Sequence, residues 1–340
     1  MKILAIESSC DETSIAIIED GKNVLSNVIS SQIDVHKVYG GVVPEIASRH
    51  HLKNISVVLQ ESLEQAGCTL EQIDAFAVTA APGLIGALLT GISFAKGLAY
   101  GLKKPLIPVH HMRAHIYANF IEHEFALPAI ALVISGGHTQ IVKMTKEHEF
   151  ILLGETMDDA VGECYDKVAR ILGLGYPGGP VIDRLSREGK PTLAIPKTHV
   201  QGKYDFSFSG IKTHMLNYMN QCEMKGERID APTVAASFQH SVVSGLIEKV
   251  ILAAKEEKIS TILLAGGVAA NSELRVRLKE ACDSEQFQLY FPKMVYCTDN
   301  AAMVGVAAYH KWCRESDKER FNDFLSLNAI STKEITDDIL

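Results

Sequence analysis

One order of elements, written twice into the chain, constrains the fold more than any single motif. Apolar runs at 2–7 and 13–19 are followed by Asp20-Gly21, a hairpin signal, and by a third run at 24–29. A helix opens at Pro44, where proline suits a first turn, and stops at Gly67. Strand 75–79, helix 84–100, strand 106–109 and helix 111–122 complete the order βββαβαβα. In the second half, runs 129–134 and 139–144 flank Gly136-Gly137, 150–153 adds a strand, and 158–172 reads as a helix. Residues from about 174 to 232 interrupt the pattern, being too rich in glycine, proline and aromatics for one regular element. Helix 234–256, strand 261–264, helix 271–282, strand 288–291 and helix 300–312 close the second copy. Self-similarity at half the chain length implies duplication. The expectation is a two-lobed α/β protein with a first lobe at 1–110, a second at 111–325 carrying the insertion, and a tail at 326–340.

Composition narrows the class. With 340 residues, 47% of them hydrophobic, the chain can fill the cores of two ordinary domains. A formal charge of −8 argues against a protein that coats nucleic acid unaided, because phosphate binding needs a concentrated basic surface. Lys103-Lys104 and the set Arg275, Arg277, Lys279 are the local basic candidates; solvated helix faces are the plainer reading. Seven cysteines in an odd count, with no Cys-x-x-Cys spacing, exclude a disulfide framework and a zinc ribbon, so a reducing cytoplasm is expected. The apolar start ends too soon at Glu7 for a signal peptide. Residues 75–95 carry no charge, but Pro82-Gly83 divides them into a strand and a helix, so no membrane span is expected.

His111 and His115, four residues apart, stand on one helical face and can grip one metal ion. They follow the strand at 106–109, and ligands of open α/β sheets gather at strand carboxyl ends. Asp299 precedes the last helix and is either its N-cap or a third ligand. Two histidines and one carboxylate leave coordination positions open, the arrangement of Fe(II) or catalytic zinc. Gly136-Gly137, beside Ser135, exposes backbone amides to a phosphate unless it is only a tight hairpin. Gly266-Gly267 ends the equivalent strand of the second half, and Asn271 then caps a helix or reaches a ligand; geometry favours the cap. Asp166, on a helix whose carboxylates recur at about one turn, can accept ribose hydroxyls, and Asp183 follows the backbone-exposing Pro177-Gly-Gly-Pro180.

Two lobes with these glycine-rich turns resemble the acetate kinase, sugar kinase, Hsp70 and actin (ASKHA) superfamily. The stretch from Lys96 through His111-Met-Arg-Ala-His115 to Ile116 resembles the signature of the TsaD family, once described as glycoproteases. Ile6-Glu-Ser-Ser-Cys-Asp-Glu-Thr13, Ser135-Gly-Gly-His-Thr139, Tyr176-Pro-Gly-Gly-Pro180, Phe206-Ser-Phe-Ser-Gly-Ile-Lys-Thr213 and Gly266-Gly-Val-Ala-Ala-Asn271 are similar to the family's other motifs. The resemblance covers nearly the whole chain. It implies transfer of a threonylcarbamoyl group from threonylcarbamoyl-AMP to N6 of adenosine 37 in tRNAs that read codons beginning with A, with release of AMP. It also implies a metal, iron before zinc, on His111, His115 and Asp299, and adenylate contacts at Ile134, Ser135, Gly136, Gly137, His138, Asp166, Gly179, Asp183 and Asn271. The implied partners are TsaB, a shorter paralogue, and TsaE, a P-loop ATPase. Asp11 and Glu12 are candidates to orient the amine or handle its proton, with turn capping as their plainer role.

Met112-Arg113-Ala114 separates the two histidines, so the glutamate that a His-Glu-x-x-His protease uses as its base is missing. Arg113 is expected to leave the helix at a different angle from the histidines. The rival readings are a small-molecule kinase of the same superfamily, which would hold magnesium through carboxylates and phosphates, and a non-enzymatic scaffold.

Overall fold

The computed structural model describes residues 1–198 and 200–339; His199 in the insertion and Leu340 in the tail lie outside the described residues. Two compact units form. The first comprises Met1–Phe125, Lys146–Phe150 and the chain from Pro292 onward, the second Ala126–Thr145 and Ile151–Phe291.

In the first unit the elements are β1 (Lys2–Glu7), β2 (Glu12–Glu19), β3 (Asn23–Ser31), α1 (Ile33–Lys37), α2 (Pro44–Ala66), β4 (Ala75–Ala81), α3 (Ile85–Leu102), β5 (Leu106–His110) and α4 (His111–Tyr117). The second unit carries β6 (Ala129–Ile134), β7 (Thr139–Lys146), β8 (Glu149–Glu155), α5 (Val161–Ile171), α6 (Gly178–Ser186), α7 (Ser209–Lys225), α8 (Ala231–Glu257), β9 (Thr261–Ala265), α9 (Ser272–Ser284) and β10 (Gln288–Tyr290). The last helix, α10 (Ala301–Arg314), returns to the first unit. The sheets run β3-β2-β1-β4-β5 and β8-β7-β6-β9-β10, one strand order used twice.

In the first sheet β2 runs antiparallel to β1, while β4 and β5 run parallel to it. Alternation along β1 divides its side chains between two layers. Leu4 and Ile6 join Ile15 and Ile17 of β2 in the cluster with Ile55 and Val58 of α2 and Leu88 and Ile92 of α3. Ala5 and Ile18 meet α10, where a Cβ on Gly305 would lie 2.5 Å from Ile18 Cγ1 and 3.3 Å from Ala5 Cβ. Glycine therefore sets how closely α10 lies on the sheet.

This packing redraws the expected domain limits. The boundary at 110/111 fails because β5 runs directly into α4, and both belong to the first unit. Helix α10, second-lobe by its place in the repeat, buries Ala301, Ala302, Val304 and Ala308 in the first unit. Nor is the expected tail loose over 326–339. Leu327 and Ile339 are buried, Ile330 donates its N–H to Ala80 O at 3.0 Å, and Gly83 donates to Ser331 O at 3.1 Å. At roughly 1.5–3 kcal/mol for each buried Leu or Ile side chain, those two residues alone hold the segment down.

Helix α3 is long and apolar enough to cross a membrane. It instead buries Ala87, Leu88, Gly91, Ile92, Ala95 and Ala99 at helical spacing within the first unit. The insertion contains two helices of its own, α6 and α7.

Candidate active site

Parallel strands deliver Glu7, at the end of β1, Thr79, near the end of β4, and His111, just after β5, to one edge of the first sheet. Asp299 arrives from the other end of the sequence. The start of α10 is pinned to the sheet by bonds from Ala301 N–H to Ser14 Oγ (2.9 Å) and from Ala302 N–H to Asn27 Oδ1 (3.3 Å). Asn300, rather than Asp299, caps this helix: its Oδ1 accepts from Met303 N–H at 3.1 Å. The Asp299 carboxylate is thereby left to the histidines.

Asp299 Oδ1 lies 3.1 Å from His115 Nε2 and 3.5 Å from His111 Nε2, and the ligand atoms of the three residues lie within 4.8 Å of one another. Donors held about 2.1 Å from one ion stand roughly 3.0–3.4 Å apart in octahedral or tetrahedral geometry; the two Asp299–histidine distances match that spacing, and the widest separation in the set, up to 4.8 Å, would have to tighten around an ion. His115 Nδ1 is buried with no partner among the described residues, and the His115 ring is fully buried. Burial holds its pKa below the ordinary imidazole value, favouring the neutral form that a ligand requires.

Glu7, which sequence reasoning missed, organises the set. Fully buried, it accepts from Ser9 N–H (2.6 Å) on one oxygen, and from Thr79 Oγ1 (2.6 Å) and His111 Nδ1 (3.0 Å) on the other. A proton on Nδ1 leaves His111 Nε2 with its lone pair facing Asp299, the tautomer control that outer carboxylates exert on metal-binding histidines. Burial disfavours the charged form of His111, but Asp299 and Glu7 outweigh it and raise the pKa to about 9. For Glu7, burial pushes upward and the facing His111 more than offsets it, leaving the carboxyl below its ordinary value. A buried acid in an apolar strand, six residues after the start, was the available signal.

Glu12 accepts from Ser31 Oγ at 3.1 Å, and burial together with the charges of Asp11 and Asp299 pushes its carboxyl well above the ordinary range. Asp11 is buried beside it. Arg113 leaves α4 for a different neighbourhood: Nε donates to Ile335 O (2.8 Å), Nη2 to Asp337 O (2.8 Å), and the guanidinium sits 5.0 Å from the Phe150 ring centre.

All the adenylate candidates lie in the second unit. Ile134 ends β6, and the following turn closes on itself: Ser135 N–H donates to His138 O (2.9 Å) and His138 N–H to Ser135 Oγ (3.1 Å). Gly136 and Gly137 are exposed, and a Cβ on either would meet open space. Gly266 differs, with φ +91° and Ile134 O only 2.3 Å from a Cβ position, so it permits the close approach of β9's end to β6.

Asn271 caps α9 through Leu274 N–H at 2.9 Å, as its position suggests, and also donates to Gln239 Oε1 at 2.8 Å. Gln239 in turn donates to Asp183 Oδ1 (3.2 Å), which accepts from Ser272 Oγ (2.8 Å). Asp183 and Asn271, distant in sequence, therefore share a polar network through Gln239, a buried amide in the apolar run of α8. Asp166 Oδ1 accepts from Gly178 N–H at 2.7 Å, and Gly179 offers open space. Asp158 and Asp159 precede α5 instead of sharing its face; Asp158 binds Ser207, Phe208 and Ser209, and Asp159 binds Lys167. In the basic set of α9, Arg277 pairs with Glu273 and Lys279 with Asp283, while Arg275 donates to Ala269 O at 2.6 Å and stands over the Phe291 ring.

Two sheets of one strand order, with a histidine–carboxylate set at the strand ends of the first and a glycine-lined turn in the second, define an α/β protein of the ASKHA class. Solved structures share this fold, among them HypF of T. kodakarensis, with a TM-score of 0.63 at 13% identity, covering 94% of this chain and 49% of that one. Component A of the Acidaminococcus fermentans (R)-2-hydroxyglutaryl-CoA dehydratase has a TM-score of 0.53 at 15% identity over 92% of this chain and 100% of that one. The chain belongs to the TsaD family of tRNA N6-adenosine threonylcarbamoyltransferases, whose family model matches residues 23–306. A tRNA N6-adenosine threonylcarbamoyltransferase of Fusobacterium nucleatum subsp. nucleatum is 55% identical over 339 residues, 99% of each chain. One of Staphylococcus saprophyticus is 53% identical over 309 residues, 91% of this chain and 90% of the relative. Membership assigns transferase activity on tRNA and sets aside the kinase, scaffold and protease readings.

Proposed function

We propose that the chain takes the threonylcarbamoyl group from threonylcarbamoyl-AMP and delivers it to N6 of adenosine 37, using a divalent metal, iron before zinc, on His111, His115 and Asp299. The observation that carries the metal reading is the convergence of three ligand atoms within 4.8 Å of one another. When bound, the ion supplies Lewis acidity toward the carbamoyl or phosphate oxygens. In the second unit, the exposed backbone of Gly136 and Gly137 receives the phosphate and the Asp183–Gln239–Asn271 network orients the nucleoside, with Asp166 and Gly179 beside it. The N6 amine attacks the carbamoyl carbon, the new N–C bond replaces the C–O bond to phosphate, and AMP leaves with that oxygen. One amine proton must also depart. Glu12, a stronger base than an ordinary carboxylate, and its neighbour Asp11 are suited to take it.

A net charge of −8, with Arg277 and Lys279 of α9 already paired to acids of the same helix, supports a tRNA surface completed by the TsaB and TsaE partners. Seven cysteines that form no disulfide among the described residues suit a cytoplasmic setting. The test is metal content and transfer measured together in His111→Ala, His115→Ala and Asp299→Ala. Both fall in each variant if the assignment holds, and stoichiometric metal in all three would refute these ligands.

A further inference from the structure

Arg113, His148, Lys311 and Arg314 line a cavity of about 300 Å³ within the first unit, and the carboxylates Glu315 and Asp338 also line it. Its floor is cationic. Arg113 is buried and Lys311 partly so, and the carboxylate that reaches them, Asp338, is more than half exposed and sits at 3.5 Å and 3.4 Å, the outer reach of an ion pair. Of the other acids nearby, Glu147 pairs with His310 and Glu315 with Arg320, while Glu149 pairs with Arg314 itself.

The cavity also holds an unused donor. His148 Nε2 is buried with no partner among the described residues. The ring is fixed by stacking on Tyr117 at 4.8 Å between centres, while the backbone N–H donates to Tyr117 Oη at 3.0 Å. His148 has φ +59°, a left-handed conformation uncommon outside glycine, so this turn keeps its ring in place against a backbone cost. Arg314 uses its two terminal nitrogens on Glu147 O and Glu149 Oε1, which leaves guanidinium N–H groups for a further acceptor. Burial pushes Lys311 down to about 8 against the pull of Asp338, and burial with Lys311 and Arg113 pushes His148 down to about 3.

We propose that this cavity binds a small oxyanion of the phosphate class, accepting from His148 Nε2–H and Arg314 above the Arg113–Lys311 floor. Free phosphate and a backbone phosphate of tRNA present the same chemistry. The site uses none of the residues assigned above to metal or adenylate.

Calorimetric titration of the purified full chain with inorganic phosphate, at ionic strength held constant with chloride, tests the site. One saturable site is expected, weakened about tenfold or more by Arg314→Gln and by His148→Gln. Arg314 is nearly half exposed, so its variant keeps the fold, which a melting curve verifies. The His148 ring nitrogen resonance should move with phosphate in the parent chain and stay still in Arg314→Gln. Competition separates the sources: if tRNA supplies the phosphate, inorganic phosphate displaces tRNA and Arg314→Gln weakens its binding; if not, tRNA affinity is unchanged while phosphate still binds. Absence of phosphate binding, or binding unaltered in both folded variants, overturns the proposal.

Discussion

Replacing Glu7 with glutamine removes one charge and one acceptor while keeping the shape of the side chain. All three groups around Glu7 approach as donors: Ser9 N–H on one oxygen, Thr79 Oγ1 and His111 Nδ1 on the other. A glutamine oxygen on the second side keeps Thr79 and His111 but turns its NH₂ against the Ser9 N–H, leaving a buried donor unsatisfied at a cost of about 1–3 kcal/mol. Reversing the amide frees Ser9 but sets NH₂ against His111, which must then carry its proton on Nε2, the atom 3.5 Å from Asp299. Either arrangement weakens control of the ligand nitrogen, and loss of such outer carboxylates lowers metal affinity about 10- to 100-fold, or roughly 1.4–2.8 kcal/mol. Anaerobic titration of Fe(II), and separately of Zn(II), into parent and Glu7→Gln chains measures this, with circular dichroism confirming the fold. Unchanged affinity in a folded variant would refute the tautomer argument, and a loss as complete as in His111→Ala would make Glu7 a direct ligand.

Three further expectations are independent of one another. Asn300→Ala should cost about 1 kcal/mol through the lost cap while metal stoichiometry persists, whereas Asp299→Ala should do the reverse; paired melting curves and metal analyses decide, and equal destabilisation contradicts the division of roles. Gly137→Val should melt like the parent yet bind a non-hydrolysable threonylcarbamoyl-AMP analogue more weakly, while Gly266→Val should destabilise the fold itself, its Cβ falling 2.3 Å from Ile134 O; calorimetry and melting separate these effects, and intact analogue affinity in Gly137→Val removes the phosphate turn. Folded His148, beside Lys311, Arg113, His310 and Arg314, refuses a proton down to about pH 3, but the unfolded chain accepts one near 6.5, so stability contributed by this residue falls as pH drops below 6.5. Denaturant midpoints between pH 7 and 4.5 should therefore decline less in His148→Gln than in the parent, and parallel declines would show that the imidazole is not held neutral.

Much of the architecture was legible locally. Pro44 and Gly67 bracket α2, with Gly67 in the left-handed C-cap conformation at φ 61°, because those residues set backbone geometry whatever surrounds them. The duplicated order reappears as two sheets of one strand sequence, since apolar alternation and helical periodicity are properties of the segment itself. The spacing of His111 and His115 likewise placed both imidazoles on one face before any fold was known, and Asn271 announced its cap by type and position. Tertiary structure decided the rest. Asp299 and Asn300 are neighbours with the same capping credentials, and only the seating of α10 on Ser14 and Asn27 assigns the cap to one and the histidines to the other. Periodicity says that a helix has an apolar face but not which sheet will cover it, so α10 moved to the first unit and the segment after 326 became part of that unit's core. Glu7 meets His111 across 104 positions of sequence, and Gln239 bridges Asp183 to Asn271 across gaps of 56 and 32. Hydrogen bonds of that kind depend on strand register and helix seating, which arise only when distant segments pack together.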